Sequence, residues 1–477
     1  MITLACWVVS VAGMLTVAAL GPSAAVPTIP GSAGWPPYSL DAHPPAGLVY
    51  SIQMVAVLAG AVAAWRLLTA ARQEQGWDPR WLHAAGFLVA GVLTLLPPVG
   101  GDITSYLAYG QEAASGINPY TAGPQSPGVP PDPIIEAVDS PWQTTPSIYG
   151  PGFTWISTVI AHVAGADGHI AATSTRLLMT AAFILTGLIL SAVSRTEAAR
   201  RRAAAMWSAN PLMIYALVAG AHVDALAALG IVGSLVLVRR FPLGAGALVG
   251  LATGVKLTGL VALPGLLWAA RSRPRALLAI ILGAAAVAVP SYAATHGVFT
   301  QIRHASRFST PASPWRPLAS LIRQGLDYTT ARSITSGLAG LLGLALVALL
   351  LRRGLPPAAE TAVGRAAAIT AAFAVGWLLT TPYVLPWYDA LAWAPLALVA
   401  ASFLDRVLLV HTTMLTIAFV PGRDVPLAGA TDLIHRVMHS GLSPVVLAVL
   451  VLVTVRLAAR RPVDMSLLAA LPPRPAP

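Results

Sequence analysis

Runs of about 20 apolar residues recur along this chain, and a run of that length is what a helix needs to cross a bilayer. Such runs begin near residues 1, 48, 81, 170, 203, 223, 276, 333, 362, 388, 406 and 441. Only 10% of the residues are charged and mean hydropathy is +0.72, whereas soluble domains carry about 25% charged residues. The sequence therefore specifies an all-α polytopic membrane protein, read as a single integral membrane domain over 1–477.

A net charge of +11 would suggest nucleic acid in a soluble protein. Here the basic residues gather at the ends of apolar runs, as the positive-inside bias requires, and no nucleic acid is implied. Arg66, Arg72 and Arg80 mark one loop, Arg195 and Arg200 to Arg202 a second, Arg239 and Arg240 a third, Arg271, Arg273 and Arg275 a fourth, and Arg352 and Arg353 a fifth. All five are predicted to be cytoplasmic. The single Cys6 excludes an intramolecular disulfide. No basic n-region precedes the first apolar run, so it reads as a first membrane helix rather than a signal peptide.

Two segments resist a simple count of spans. Phe153 to Gly165 is apolar but short, and if it crossed, the Arg195 to Arg202 cluster would fall outside. It is predicted to be interfacial or re-entrant, which leaves 97–169 as a first large extracytoplasmic loop. Leu243 to Ala270 is long for one crossing and short for two, with basic residues at both ends. Two half-length helices meeting near Lys256 satisfy both flanks, because irregular backbone at membrane depth survives only where protein or a cavity surrounds it. The expectation is about 12–14 membrane helices with this pair included and both termini cytoplasmic. The Pro-rich stretches are 122–133 and the tail from Pro472.

From Trp81 to Thr175 there is no Lys or Arg, while Asp102, Glu112, Asp132, Glu136, Asp139 and Asp167 all occur. Asp102 stands where an apolar run ends and the outer loop begins, a place for a catalytic base. Around it lie Tyr106, Tyr109, Asn118, Tyr120 and Tyr149. Such groups suit sugars, whose C–H faces stack on rings and whose hydroxyls need hydrogen-bond partners. Equally, the aromatics can anchor the loop at headgroup level.

Lys256 is the only lysine in the chain. A charge at the centre of a membrane helix costs about 2.5–3.5 kcal/mol on insertion scales, so Lys256 should face a polar cavity or an anionic partner. The loop 296–330 breaks the orientation bias with Arg303, Arg307, Arg316 and Arg323. Arg303 and Arg307 share a face if Gln301 to Phe308 is helical, a geometry suited to a phosphate or to lipid headgroups. Arg176 reads either as an interfacial side chain or as another phosphate ligand. His222 and Asp224, two apart at a tight outer turn, are too few to claim a metal site and read as a hydrogen-bonded pair. The sequence contains no nucleotide-type glycine loop and no zinc-spaced His and Cys set, so a donor should come from the membrane.

Asp102, the stretch Gly116 to Tyr120, Tyr149 to Pro151, Asn210 and Pro211 with His222 and Asp224 downstream, Lys256, and Pro382 to Asp389 together resemble GT-C fold glycosyltransferases. They look most like the actinobacterial polyprenol-phosphate-mannose-dependent alpha-1,6-mannosyltransferases of lipomannan core biosynthesis, over roughly residues 81–400. The resemblance implies inverting transfer from polyprenyl-phosphate-mannose to a mannan or lipomannan acceptor, outside the plasma membrane. Asp102 would act as base, Lys256, Arg303, Arg307 and Arg176 would hold the donor phosphate, and Trp387 and Tyr388 would join the sugar-binding set with His222 and Asp224. Many relatives of this fold carry a second acid beside the first, but Ile103, Thr104 and Ser105 follow Asp102. Either Asp139 or Glu136 supplies a second carboxylate in space, or none is needed. Neither a divalent metal nor another cofactor is implied. The competing expectations are a transporter or flippase of lipid-linked sugars, and transfer of another sugar such as arabinose.

Overall fold

Several helices begin where the sequence offers an N-cap acceptor. The side chains of Asp78, Asp167, Thr196, Asp327, Thr361 and Ser402 each accept from main-chain N–H groups one to three residues ahead, which satisfies donors that a helix start otherwise leaves open. The fold is a computed structural model that describes residues 1–355 and 361–461. The Pro-rich tail from Pro472 lies outside the described residues, which form helices joined by loops, with no strand among them.

Seven helices are long and apolar enough to cross a membrane: Ile2–Leu20, Ala46–Arg72, Gly168–Val193, Pro274–Ala293, Tyr328–Gly354, Ala362–Thr380 and Gly429–Ala459. Shorter apolar helices, Asp224–Leu237, Pro242–Val255 and Leu257–Ala270, pack among them. The run expected from residue 203 is interrupted rather than straight. Asn210 caps a new turn at Pro211, flanked by π-helical Ala204–Ser208 and Ile214–Ala219. This stretch is buried almost throughout, so the surrounding protein supports its irregular backbone.

Hydrogen bonds sort the loops onto two faces. On one face Arg201 donates to the carbonyls of Trp77 and Glu74, Arg66 reaches Thr3, Arg273 reaches the Arg239 carbonyl, and Arg353 reaches that of Ala459. On the other, Arg423 binds Asp139 through two 2.7 Å contacts and also the carbonyls of Ser23 and Val26. There too, Asn118 donates to the His296 carbonyl. The arginine-marked loops thus share one face, and the loops around 21–47, 97–169, 296–330 and 421–440 share the other.

The half-helix pair forms as the charge flanks require. Helix Pro242–Val255 ends at Lys256, whose backbone is extended (φ −154°, ψ 129°). A short 3-10 turn over Leu257–Ala262 and helix Leu263–Ala270 then lead away. A Cβ at Gly259 would lie 2.5 Å from the Ala252 carbonyl carbon, so the chain doubles back on itself. The Arg273 to Arg239 bond closes the pair at its base and leaves Lys256 at its tip.

Within 97–169, helices Asp102–Ala114 and Pro151–Ala164 pack side by side, and Gly110 admits the backbone of Ser157. Trp155, Val159 and Val163, one turn apart, form an exposed apolar stripe on the second helix, the surface an interfacial helix presents to lipid.

Candidate active site

Gly100 and Gly101 bring three loops to the start of the Asp102 helix. Their N–H groups donate to the carbonyls of Ala25 and Gly422. Gly100 has φ +139°, a conformation that side chains rarely adopt. Asp102 follows as the first helical residue, where the unpaired N–H groups and the helix dipole favour a carboxylate.

Three neighbours define what Asp102 can do. His222 Nε2 lies 3.6 Å from its Oδ2. His222 Nδ1 is 2.5 Å from the Ala216 carbonyl, an acceptor only, so Nδ1 carries the hydrogen and in the neutral ring Nε2 presents its lone pair to Asp102. The imidazole is clamped flat against Trp387, with ring centres 3.5 Å apart. Burial pushes the Asp102 carboxyl up to about 6; the Lys256 charge draws it down and that of Asp224 raises it. Solvent still reaches 24% of the side chain, which leaves the carboxylate able to accept a proton.

Lys256 donates to both oxygens of Asp224 at 2.9 Å, and its Nζ sits 3.6 Å from the centre of the Tyr388 ring. His222 and Asp224 are therefore not a hydrogen-bonded pair: each serves a different partner, one facing Asp102 and the other fixing Lys256. Asp139 does lie beside the start of this helix, its Oδ2 3.2 Å from where a Cβ at Gly101 would stand, but it is paired with Arg423; the acid whose charge acts on Asp102 is Asp224.

Lys256 opens onto a cavity of about 390 Å³. Tyr149, Tyr383, Tyr388 and Trp377 line it with aromatic rings, and Ile302, Ala339 and Gly340 add apolar lining. The backbone at Lys256 is held by the neighbouring outer loop, where Gly150 N–H donates to the Val255 carbonyl at 3.0 Å. A Cβ at Gly150 would stand 2.2 Å from the Gly254 carbonyl oxygen. Gly150→Ala should displace the tip of the half-helix pair and lower activity by roughly 10²-fold, the usual cost of misplacing a catalytic group by about 1 Å. Turnover, beside an intact thermal transition, checks this.

Several expected site residues are occupied elsewhere. Arg176 is 1% exposed and donates to the carbonyls of Leu93, Thr94 and Ala219. It closes a helix end and has no fork free for phosphate. Tyr106, Tyr109 and Tyr120 are buried rather than set on a sugar-facing surface: Tyr106 belongs to a cluster that includes Phe153, Met179 and Val223, and Tyr120 to one with Tyr292 and Val298. Tyr106 packs edge-on against Tyr149 and Phe153, Tyr109 donates to the Thr145 carbonyl, and the Tyr120 hydroxyl meets the Tyr149 carbonyl and Thr154. Asn118 is a loop staple between Tyr120 and His296.

Arg303 and Arg307 do not form the two-arginine face that helical spacing suggested. The helix Val298–Ala305 ends before Arg307, and Arg303 is exposed. The residues of that segment facing the cavity are Ile302, Ala305, Ser306 and Phe308.

Asp102, Tyr149, His222, Asp224, Lys256, Trp387 and Tyr388 do come together. Tyr383 and Trp377 were missed; Tyr383 lay inside the Pro382 to Asp389 stretch, and Trp377 carried no signal beyond its hydropathy. Asp389, from the same stretch, turns away to His411 and Thr412.

Glu112, one of the six acids of the loop, is fully buried with no hydrogen-bond partner for either carboxyl oxygen among the described residues. Burial raises its pKa from 4.5 to about 8, so the folded chain keeps a proton that the unfolded chain releases. Stability should fall as pH climbs from about 4.5 to about 8 and level off above. In Glu112→Gln that decline should flatten, read as the thermal midpoint in detergent at pH values across the window.

The model of the family described as "Alpha-(1->6)-mannopyranosyltransferase, N-terminal domain" matches residues 7–272, a span that holds Asp102, His222, Asp224 and Lys256 and ends before Arg303. The chain is 31% identical over 205 residues to alpha-(1->6)-mannopyranosyltransferase A of Corynebacterium glutamicum, covering 42% of this chain and 40% of that protein. It is 35% identical over 141 residues to an alpha-(1->6)-mannopyranosyltransferase of Mycobacterium tuberculosis, covering 28% and 23%. A probable alpha-(1->6)-mannopyranosyltransferase of Mycolicibacterium smegmatis is 37% identical over 142 residues, covering 28% and 24%. The matched stretch is thus less than half the length of these relatives. No solved structure matches the chain. A family model that spans more than half of the sequence, and encloses both the acid and the lysine of the site, places the chain in the alpha-(1->6)-mannopyranosyltransferase family.

Proposed function

We propose that this protein transfers mannose, with inversion, from a polyprenyl-phosphate-mannose donor to a mannan or lipomannan acceptor on the extracytoplasmic side of the plasma membrane, forming an alpha-1,6 linkage. The observation that carries this reading is that a partly exposed acid, Asp102, lies within electrostatic reach of Lys256, which opens onto a cavity lined by both aromatic and apolar side chains.

Asp102 takes the proton of the attacking 6-hydroxyl. The freed oxygen attacks the anomeric carbon from the face opposite the phosphate, and the bond from that carbon to the phosphate oxygen breaks. The leaving polyprenyl phosphate gains one negative charge, which the Lys256 ammonium stabilises in a site held away from water. Asp224 fixes the ammonium in place, and Tyr388 lies against it. The apolar lining at Ile302, Ala339 and Gly340 suits the first units of a polyprenyl chain, and the aromatic lining at Tyr149, Trp377 and Tyr383 suits sugars.

Purified full-length protein, given radiolabelled sugar on a panel of polyprenyl phosphates together with nucleotide-linked mannose, tests the reading. Mannose passing only from the polyprenyl carrier to a mannan oligosaccharide is the expected result. Transfer from a nucleotide donor, transfer of arabinose instead, or movement of the intact lipid-linked sugar across vesicles without transfer each overturns it.

A further inference from the structure

Fourteen residues of helix separate Lys256 from the base of the half-helix pair, roughly 20 Å at helical rise, and the base holds a second cavity. It encloses about 360 Å³ and is lined by Arg239, Trp268, Arg271, Ser272, Arg273 and Thr361, among others. No acid lines it among the described residues. The proposed reaction has no use for it.

Arg239 and Arg271 are exposed, yet Arg271 and Arg273 are tied back to the chain. Arg271 lies flat over the Trp268 ring, 3.5 Å from the ring centre, and donates to the Trp268 carbonyl at 3.0 Å. Arg273 is tied by Nη1 to the Arg239 carbonyl, while its Nη2 is buried with no acceptor among the described residues. A buried guanidinium donor without an acceptor is costly, and an anion with several oxygens removes that cost. Two helices, Pro274–Ala293 and Ala362–Thr380, also start at the cavity, which adds their positive ends.

We propose that this cavity binds a phosphate group, and that the phosphate is the headgroup of an anionic membrane lipid. The arginines end membrane segments, where basic pockets meet lipid phosphates. Exposed apolar side chains lie close by along the chain, with Phe241 and Leu243 following Arg239, and Leu278 one turn into the helix after Arg273. Trp268 supplies the aromatic ring typical of the interface. The bound headgroup joins Arg239, Arg271 and Arg273 across the base of the pair, and so braces the element that carries Lys256 at its other end. This site does not depend on the reaction proposed above.

The test uses the full chain in a neutral detergent, with added phosphatidylglycerol, phosphatidylcholine or inorganic phosphate. Phosphatidylglycerol should raise the thermal midpoint by several degrees while phosphatidylcholine leaves it unchanged. Native mass spectrometry should retain one more phosphatidylglycerol on wild type than on the Arg271→Gln, Arg273→Gln variant. Arg273→Lys, which keeps the charge, should keep most of the effect and guards against a variant that merely folds poorly. Stabilisation by inorganic phosphate alone, abolished in the double variant, upholds the phosphate site and overturns the lipid as its source. Equal lipid retention and equal shifts in wild type and both variants overturn the site.

Discussion

Asp102→Asn should reduce mannosyl transfer by roughly 10²- to 10⁴-fold, the contribution of a positioned general base, while donor binding and the thermal midpoint stay near wild type. The amide fills the same space beside His222 Nε2. It replaces a group that burial already biases toward its uncharged form, so little folding energy is at stake. In the wild type, transfer should fall as pH drops through about 6, since only the carboxylate accepts a proton and burial has lifted its pKa to that value. The Asn variant should lose this acid limb and show a flat, low profile. Single-turnover transfer at saturating donor, measured across pH, reads both effects. If the variant keeps both the rate and the acid limb, another group takes the proton.

The two anchors of the site were legible in the sequence because each violates a strong rule. Asp102 stands where an apolar run ends, inside a long interval without Lys or Arg, and Lys256 is a charge inside an apolar run whose two flanks demand the same side of the membrane. Rules of that kind act along the chain and need no knowledge of neighbours. Pairings do need it. The Asp224 to Lys256 contact joins residues 32 apart on different helices, and nothing local distinguishes Asp224 from an acid at an ordinary helix start. The tyrosines of the first outer loop show the limit most clearly. A loop of this length can pack down onto the elements beside it, and Tyr106 and Tyr120 are buried there in clusters with Met179 and Val223 and with Tyr292 and Val298, although their sequence neighbourhood is the same as that of a sugar-binding surface. Arg176 failed similarly, since three main-chain carbonyls at converging helix ends are invisible until the helices are packed. Arg303 and Arg307 were misjudged for a simpler reason: helical spacing was carried past the point where the helix ends at Ala305.

Lys256 has two roles that a single substitution confounds, holding Asp224 neutralised and facing the departing phosphate. Lys256→Met leaves the Asp224 carboxylate, 0% exposed, without its partner, a change that costs about 3–5 kcal/mol when a buried pair is broken. A marked drop in thermal midpoint should therefore accompany loss of activity. Removing both charges separates the roles. In Lys256→Met with Asp224→Val the uncompensated charge is gone, and buried pairs replaced by apolar groups of similar size are often neutral in stability or better. The double variant should therefore recover most of the lost midpoint. Its transfer should still be lower than wild type by roughly 10²- to 10³-fold, the usual cost of removing one group that stabilises developing charge, because no cation then meets the leaving phosphate. Recovery of transfer together with stability would assign the pair a purely structural part, and the leaving phosphate would then need another cation. Recovery of stability without transfer fixes Lys256 at the phosphate, and Asp224 as the residue that positions it.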